Sequence, residues 1–111
     1  DEAARAQYEA LARAAKLSFN GLFWNPEREC LFDVVSNGER DAAVRPNQIF
    51  AVSLCYPLVE GERARKIVEK VEGELLTPYG LRSLSPRDEN YRPVYAGSPL
   101  ERDSAYHQGT V

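Results

Sequence analysis

With 111 residues, of which 43% are hydrophobic and 28% charged, the chain fits a single small globular domain or a piece of one. The net charge is −3 and no basic residues cluster, so we expect no nucleic-acid partner. No apolar run reaches the roughly 20 residues of a membrane-spanning helix, so we expect no membrane partner. Because the chain contains no methionine, we expect it to be a piece of a longer protein.

The first element predicted along the chain is a helix from Asp1 to about Phe23. Asp1 suits the N-cap position, and Asn25 ends the helix because a proline follows it. Apolar residues recur at steps of three or four and form a stripe of Tyr8, Leu11, Ala15, Phe19 and Leu22.

A short strand is predicted over 30–35, followed by a tight turn at Asn37-Gly38. The return strand is weak, because Glu39, Arg40 and Asp41 are not typical strand residues.

Two further helices are predicted. The first opens at Pro46, ends before Pro57 and is apolar enough to be buried on most sides. The second spans about Glu60 to Leu76. It has a core-facing stripe of Ala64, Ile67, Val68, Val71 and Leu75 and a charged, solvated opposite face.

From Tyr79 to His107 no helical period is visible, and prolines interrupt the segment. A loop of this length inside a compact domain is either disordered or functional, and its tyrosines argue against simple disorder. The predicted architecture is therefore mainly α, with helical hairpins, long polar loops and one small β-hairpin.

Cys30 and Cys55 are predicted to be buried free thiols in a reducing, cytoplasmic setting, because neither lies in a metal-binding motif. We expect no metal and no cofactor. A triad of Ser104, His107 and Asp103 is disfavoured because the three lie too close in sequence. Candidate acid or base carboxylates remain open among Asp33, Asp41, Asp88 and Asp103.

The loops are rich in guanidinium, amide and carboxylate groups, which can each bind neighbouring hydroxyls through two hydrogen bonds. Tyrosines add flat faces for the C–H surface of a sugar ring. This mixture favours a polyhydroxylated ligand over a phosphate or a base, although loop side chains that satisfy one another would look the same.

Four segments carry a resemblance to a known family, and they are FWNPERECLFDVV, RPNQIFAVSL, ELLTPYGLRSLSPRDENYRPVYAG and RDSAYHQGTV. In this order they resemble the catalytic domain of the bacterial and archaeal glycogen debranching enzymes of the amylo-α-1,6-glucosidase type, over residues 19–111.

The resemblance implies a partial (α/α)6 toroid that forms one fragment, residues 1–111, of a single catalytic domain. It implies hydrolysis of α-1,6-linked glucose at branch points with inversion, which needs two carboxyl groups roughly 6.5–9.5 Å apart. By the family pattern both catalytic carboxylates lie outside this chain, so the isolated piece is expected to be inactive.

The family resemblance implies that the chain contributes to the wall of the substrate funnel. The residues predicted to contact an α-glucan or oligosaccharide are Arg45, Asn47, Gln48, Arg82, Asp88, Tyr91, Asp103, Tyr106, His107 and Gln108.

Two alternatives remain open. One is another (α/α)6 α-glycosidase, trehalase-like or mannosylglycerate-hydrolase-like, and the other is a non-catalytic carbohydrate-binding helical module. The isolated piece is also expected to expose apolar helix faces and to self-associate.

Overall fold

The computed structural model describes residues 1–105 and 109. Close to half of the chain is helical, in α1 (Glu2–Phe23), a 3₁₀ helix (Pro46–Ile49) that leads into α2 (Phe50–Ser53), α3 (Gly61–Leu75) and α4 (Pro99–Ala105). Small antiparallel pairs join β1 (Trp24–Asn25) to β2 (Cys30–Leu31), β3 (Val34–Ser36) to β4 (Glu39–Asp41) and β5 (Leu76–Thr77) to β6 (Gly80–Leu81). The mainly α prediction is confirmed, while the toroid stays a prediction.

Helix α1 forms as its sequence predicts. The Asp1 carboxylate accepts a hydrogen bond from the Ala3 N–H at 3.0 Å, and the helix ends where Trp24 becomes extended. Its apolar stripe, however, is largely uncovered, with Tyr8 70% and Leu11 57% exposed. At the other end Phe19 packs against the core. The exposed stripe is the feature on which the expected self-association depends.

The prediction of one β-hairpin is wrong, because the described residues form three two-stranded pairs. Asn37 and Gly38, at φ of 50° and 80°, make the tight turn, and this turn pairs Ser36 with Glu39. The polar residues Glu39–Asp41 do form the return strand. All three residues are exposed, so the strand forms without burying a charged side chain. Strand pairing here follows from the turn and the backbone rather than from an apolar face.

The helix predicted from Pro46 is interrupted early. After the 3₁₀ turn, α2 stops at Leu54, and the N–H groups of Leu58 and Val59 donate to the carbonyl of Ala51 at 2.9 and 3.1 Å. The returning chain therefore satisfies the carbonyl that a longer helix would have used. The prediction of burial on most sides is also wrong, because Phe50 is 58% exposed.

The core lies under α3. Its Ile67, Val71 and Leu75 are buried against β2 and the 3₁₀ helix, while Val68 is 44% exposed. The opposite face carries charged side chains that pair along the surface, as Arg65 does with Glu62 and Glu69. The predicted division of this helix into a core face and a solvated face is confirmed for Ile67, Val71 and Leu75, while the prediction that Val68 belongs to the core face is wrong.

A short helix, α4, lies within the segment in which no helix was predicted. Ser98 Oγ accepts from the Glu101 N–H at 3.2 Å, and the Glu101 carboxylate accepts from the Ser98 N–H at 3.1 Å. This reciprocal capping box, with Pro99 in the first turn, starts a helix that is too short to show a period.

Both cysteines are free, as expected, but only Cys30 is buried and Cys55 is exposed. Cys55 follows the early end of α2, which leaves it outside the core. Within residues 1–105 and 109, no helix combines the length and apolarity needed to span a bilayer.

Replacing Ile67 by alanine tests the position of the core. Ile67 is fully buried (0% exposed), so Ile67→Ala should lower the free energy of unfolding by about 2–5 kcal/mol in urea titrations followed by circular dichroism. Its neighbour Val68 is the matched control, and Val68→Ala should cost less than about 1 kcal/mol. Equal losses for the two variants would contradict this assignment of the buried face.

Candidate functional site

A cavity of about 220 Å³ opens between the end of α1, the link from β2 to β3 and the first turn of the 3₁₀ helix. Its wall is mainly apolar and includes Phe32 and Phe50, with polar groups from Asp33, Asn47 and Gln48. A concave apolar wall with a few polar groups is typical of a small-ligand site. Of the residues predicted to bind sugar, the structure brings Asn47 and Gln48 together here.

Asn47 and Gln48 follow Pro46 in the 3₁₀ helix and differ in burial. Asn47 is exposed at the start of the helix, where it faces the cavity mouth. Gln48 is only 8% exposed, and its Oε1 accepts a hydrogen bond from the Leu31 N–H at 3.1 Å. Asn47 can therefore meet a ligand, whereas the oxygen of Gln48 is already engaged with β2.

Arg45 precedes the 3₁₀ helix but does not cap it through its side chain. Its Nε lies 3.6 Å from Asp33 Oδ2, and its Nη1 donates to the carbonyl of Ser83 at 3.1 Å. The Asp33 side chain is 14% exposed and lines the cavity. The guanidinium thus neutralises a carboxylate of the cavity wall and reaches across to the segment after β6.

Backbone hydrogen bonds tie that segment to Val44 and Gly109. The Ser85 N–H donates to the carbonyl of Val44 at 3.0 Å, and the Ser83 N–H donates to the carbonyl of Gly109 at 2.8 Å. Gly109 therefore lies beside Ser83, the residue whose carbonyl Arg45 contacts.

The other predicted residues are placed differently. Arg82 is half-buried, and its N–H donates to the carbonyl of Leu75 at 2.8 Å. Asp88 Oδ1 accepts from the Asn90 N–H at 2.8 Å, and the carbonyl of Asp88 accepts from the N–H of the half-buried Tyr91 at 3.0 Å. Asp88 also lines a separate depression with Arg28 and Arg87. Its observed contacts order a turn outside the Asn47 cavity.

The remaining predicted residues belong to the last segment. Asp103 is exposed on α4. Tyr106, His107 and Gln108 lie outside the described residues, so their assignment to the wall stays a prediction.

A second cavity, of about 290 Å³, is lined by charged side chains of α3 and of the turn after β1, together with Arg87. Its charges are largely paired, since Lys66 contacts Glu29 and Lys70 Nζ lies 3.0 Å from Glu74 Oε2. In the described part of the chain, no three His, Cys, Asp or Glu side chains are grouped as metal ligands. The apolar cavity beside Asn47 is therefore the stronger candidate.

Comparison with known proteins identifies the family. The profile of the family described as amylo-alpha-1,6-glucosidase matches residues 2–111. The chain belongs to the amylo-alpha-1,6-glucosidase family. The glycogen debranching enzyme of Saccharomyces cerevisiae is 34% identical in an alignment of 85 positions that covers 69% of this chain. The chain spans 6% of the length of that relative. No solved structure matches it.

Within this amylo-alpha-1,6-glucosidase segment, sequence reasoning did not select Phe32 and Phe50, which line the cavity, or Ser83, which Arg45 contacts. Phe32 could have been found from its position beside Asp33 at the end of a strand. Phe50 follows the amide pair by one turn and could have been expected on the same side. Ser83 contributes only backbone groups to the contacts described above, and side-chain chemistry gives no signal for such a role.

Glu74, on α3, accepts a hydrogen bond from Ser85 in the segment after β6. Its side chain is 8% exposed, and burial acts to raise its pKa. Hydrogen bonds from Ser85 Oγ, at 2.7 Å, and from Lys70 outweigh burial, so the pKa of Glu74 lies below its ordinary value. A lowered folded-state pKa means that this contribution to stability is complete above the unfolded pKa. It is lost as the pH falls through the folded value.

Glu74→Gln should therefore flatten the pH dependence of stability in the acid range. The free energy of unfolding of the wild-type chain, measured in urea from pH 7 to pH 3, should fall more steeply below about pH 4.3 than that of the variant. Glu72→Gln, an exposed neighbour on the same helix, is the control and should keep the wild-type slope. A Glu74→Gln profile parallel to the wild type would contradict the assignment.

Proposed function

We propose that this chain is part of the glucosidase domain of a glycogen debranching enzyme. In this proposal the domain hydrolyses the α-1,6-linked glucose at branch points of an α-glucan with inversion, and the chain lines the substrate funnel of an (α/α)6 toroid. The family match over residues 2–111 carries the proposal. The relative from yeast, named a glycogen debranching enzyme, supports the same substrate class.

The cavity beside Asn47 has the chemistry for a glucosyl unit. The Asn47 amide offers donors and an acceptor to sugar hydroxyls, and the Asp33 carboxylate offers acceptors. The rings of Phe32 and Phe50 supply flat apolar surface for the C–H face of the sugar. In the proposed mechanism these residues bind and orient the sugar, while the acid and base carboxylates come from outside the chain.

The stereochemistry of the product tests the proposed reaction. The enzyme that contains this chain should release β-glucose first from a dextrin with a single α-1,6-linked glucose at its branch, because inversion converts an α-linkage into a β-product. Proton NMR during the first minutes separates the anomers before they equilibrate. Initial release of α-glucose would contradict the mechanism, and cleavage of trehalose or mannosylglycerate instead would favour another α-glycosidase. The isolated 111-residue chain should release no glucose.

Asn47→Ala tests the sugar contact. Loss of one or two neutral hydrogen bonds should weaken the binding of isomaltose to the chain by about threefold to tenfold in an NMR titration. Ser53→Ala, an exposed change at the end of α2, is the matched control and should leave the affinity unchanged. Equal affinities of Asn47→Ala and the wild type would remove Asn47 from the proposed site.

A further inference from the structure

The Arg45 side chain joins Asp33, which lines the cavity, to the segment after β6, which does not. Its Nε faces Asp33 Oδ2 at 3.6 Å, and its Nη1 donates to the Ser83 carbonyl at 3.1 Å. The Ser83 N–H in turn donates to the carbonyl of Gly109 at 2.8 Å. The chain of contacts therefore runs from the link after β2, through the start of the 3₁₀ helix, to the last segment of the protein.

In this geometry the Nε and Nη1 groups of the guanidinium contact the protein itself. A guanidinium presents its N–H donors in one rigid plane, so contacts through Nε and Nη1 fix both its position and its orientation. The Arg45 side chain is 32% exposed, and Asp33 is 14% exposed. The ion pair is thus partly shielded from water, and screening weakens it less than it would a pair on the open surface.

We propose that Arg45 is a positioning residue rather than a sugar ligand. It holds Asp33 and the Ser83–Gly109 backbone contact in a fixed relation to Asn47, which lies two residues further along the chain. The inference rests on the proposed function, because Asn47 and Asp33 are the groups that would face the glucosyl unit. It reassigns Arg45 from binding the substrate to holding together the wall that binds it.

Amide hydrogen exchange in the 111-residue chain tests the contact without any substrate. In Arg45→Ala the Ser83 amide should exchange at least about tenfold faster, because loss of the guanidinium frees the Ser83 peptide from its place beside Gly109. The adjacent Arg82 amide is the internal control. Its partner is the Leu75 carbonyl at the end of α3, so its exchange rate should not change.

Two more variants at the ion pair and one control variant make this experiment decisive. Arg45→Lys should give an intermediate Ser83 rate, because one ammonium cannot reproduce both contacts of the planar fork. Asp33→Asn keeps the shape and removes the ion pair, and it should also speed exchange at Ser83. Arg13→Ala, an exposed change on α1, should have no effect. An unchanged Ser83 rate in Arg45→Ala would overturn the proposal, and so would equal acceleration at Arg82 and Ser83.

Kinetics of the debranching enzyme that contains the chain distinguish positioning from direct binding. Because Asn47 and Asp33 bind and orient the sugar, their misplacement in Arg45→Ala should lower kcat at least about tenfold, and it should raise KM for the branched dextrin by no more than about tenfold. Arg45→Lys should restore part of kcat. A raised KM with unchanged kcat would show that Arg45 binds the sugar directly and would overturn the inference.

The test of the proposed function and the test of the role of Arg45 can give negative results independently of each other. If the wild-type enzyme released no glucose from branched dextrin, the proposed function would be wrong. The exchange rates of Ser83 and Arg82 would still decide whether Arg45 holds the wall together.

Discussion

The burial of one face of α3 is the constraint on which the rest of this structure depends. Ile67, Val71 and Leu75 meet β2 and the 3₁₀ helix, and Phe19, Phe23 and Trp24 pack against the same core. Once β2 is fixed, its Leu31 N–H fixes the amide of Gln48, and the start of the 3₁₀ helix takes its place. The cavity beside Asn47 is therefore a consequence of this core, and Leu31 and Ala51 belong to both.

Part of this fold could be predicted from the sequence, for physical reasons. Helices α1 and α3 are long enough for their caps, periods and stop signals to agree, and both are found within about one residue of the prediction. The elements that were missed are short and depend on backbone contacts. The strand Glu39–Asp41 exists because a turn brings polar residues opposite a partner, and α2 ends early because Leu58 and Val59 fold back onto it.

The candidate site shows the same division. Asn47 and Gln48 could be chosen from the sequence because they are side-chain amides, which can bind sugar hydroxyls, at a predicted helix start. Their different roles could not be chosen, because one turn of 3₁₀ helix decides which amide faces the core. Arg45 has the chemistry of a ligand in the sequence, yet its contacts in the structure are with Asp33 and with a backbone carbonyl. Tertiary contacts, rather than residue type, distinguish a side chain that can bind a ligand from a side chain that positions other residues.

The exposed length of α1 has a consequence for how the molecule opens. The side chain of Asn20, near the end of the helix, donates to the Leu58 carbonyl at 2.8 Å, and no residue of the helix is fully buried. The first turns rest on the Asp1 cap and on surface pairs such as Arg5 with Glu9, each worth about 1 kcal/mol or less. Opening free energy should therefore rise steadily along this one helix, from fraying at its first turn to the global value near Phe23. Within this single helix, the free energy of local opening thus covers the whole range between the least and the most stable parts of the molecule.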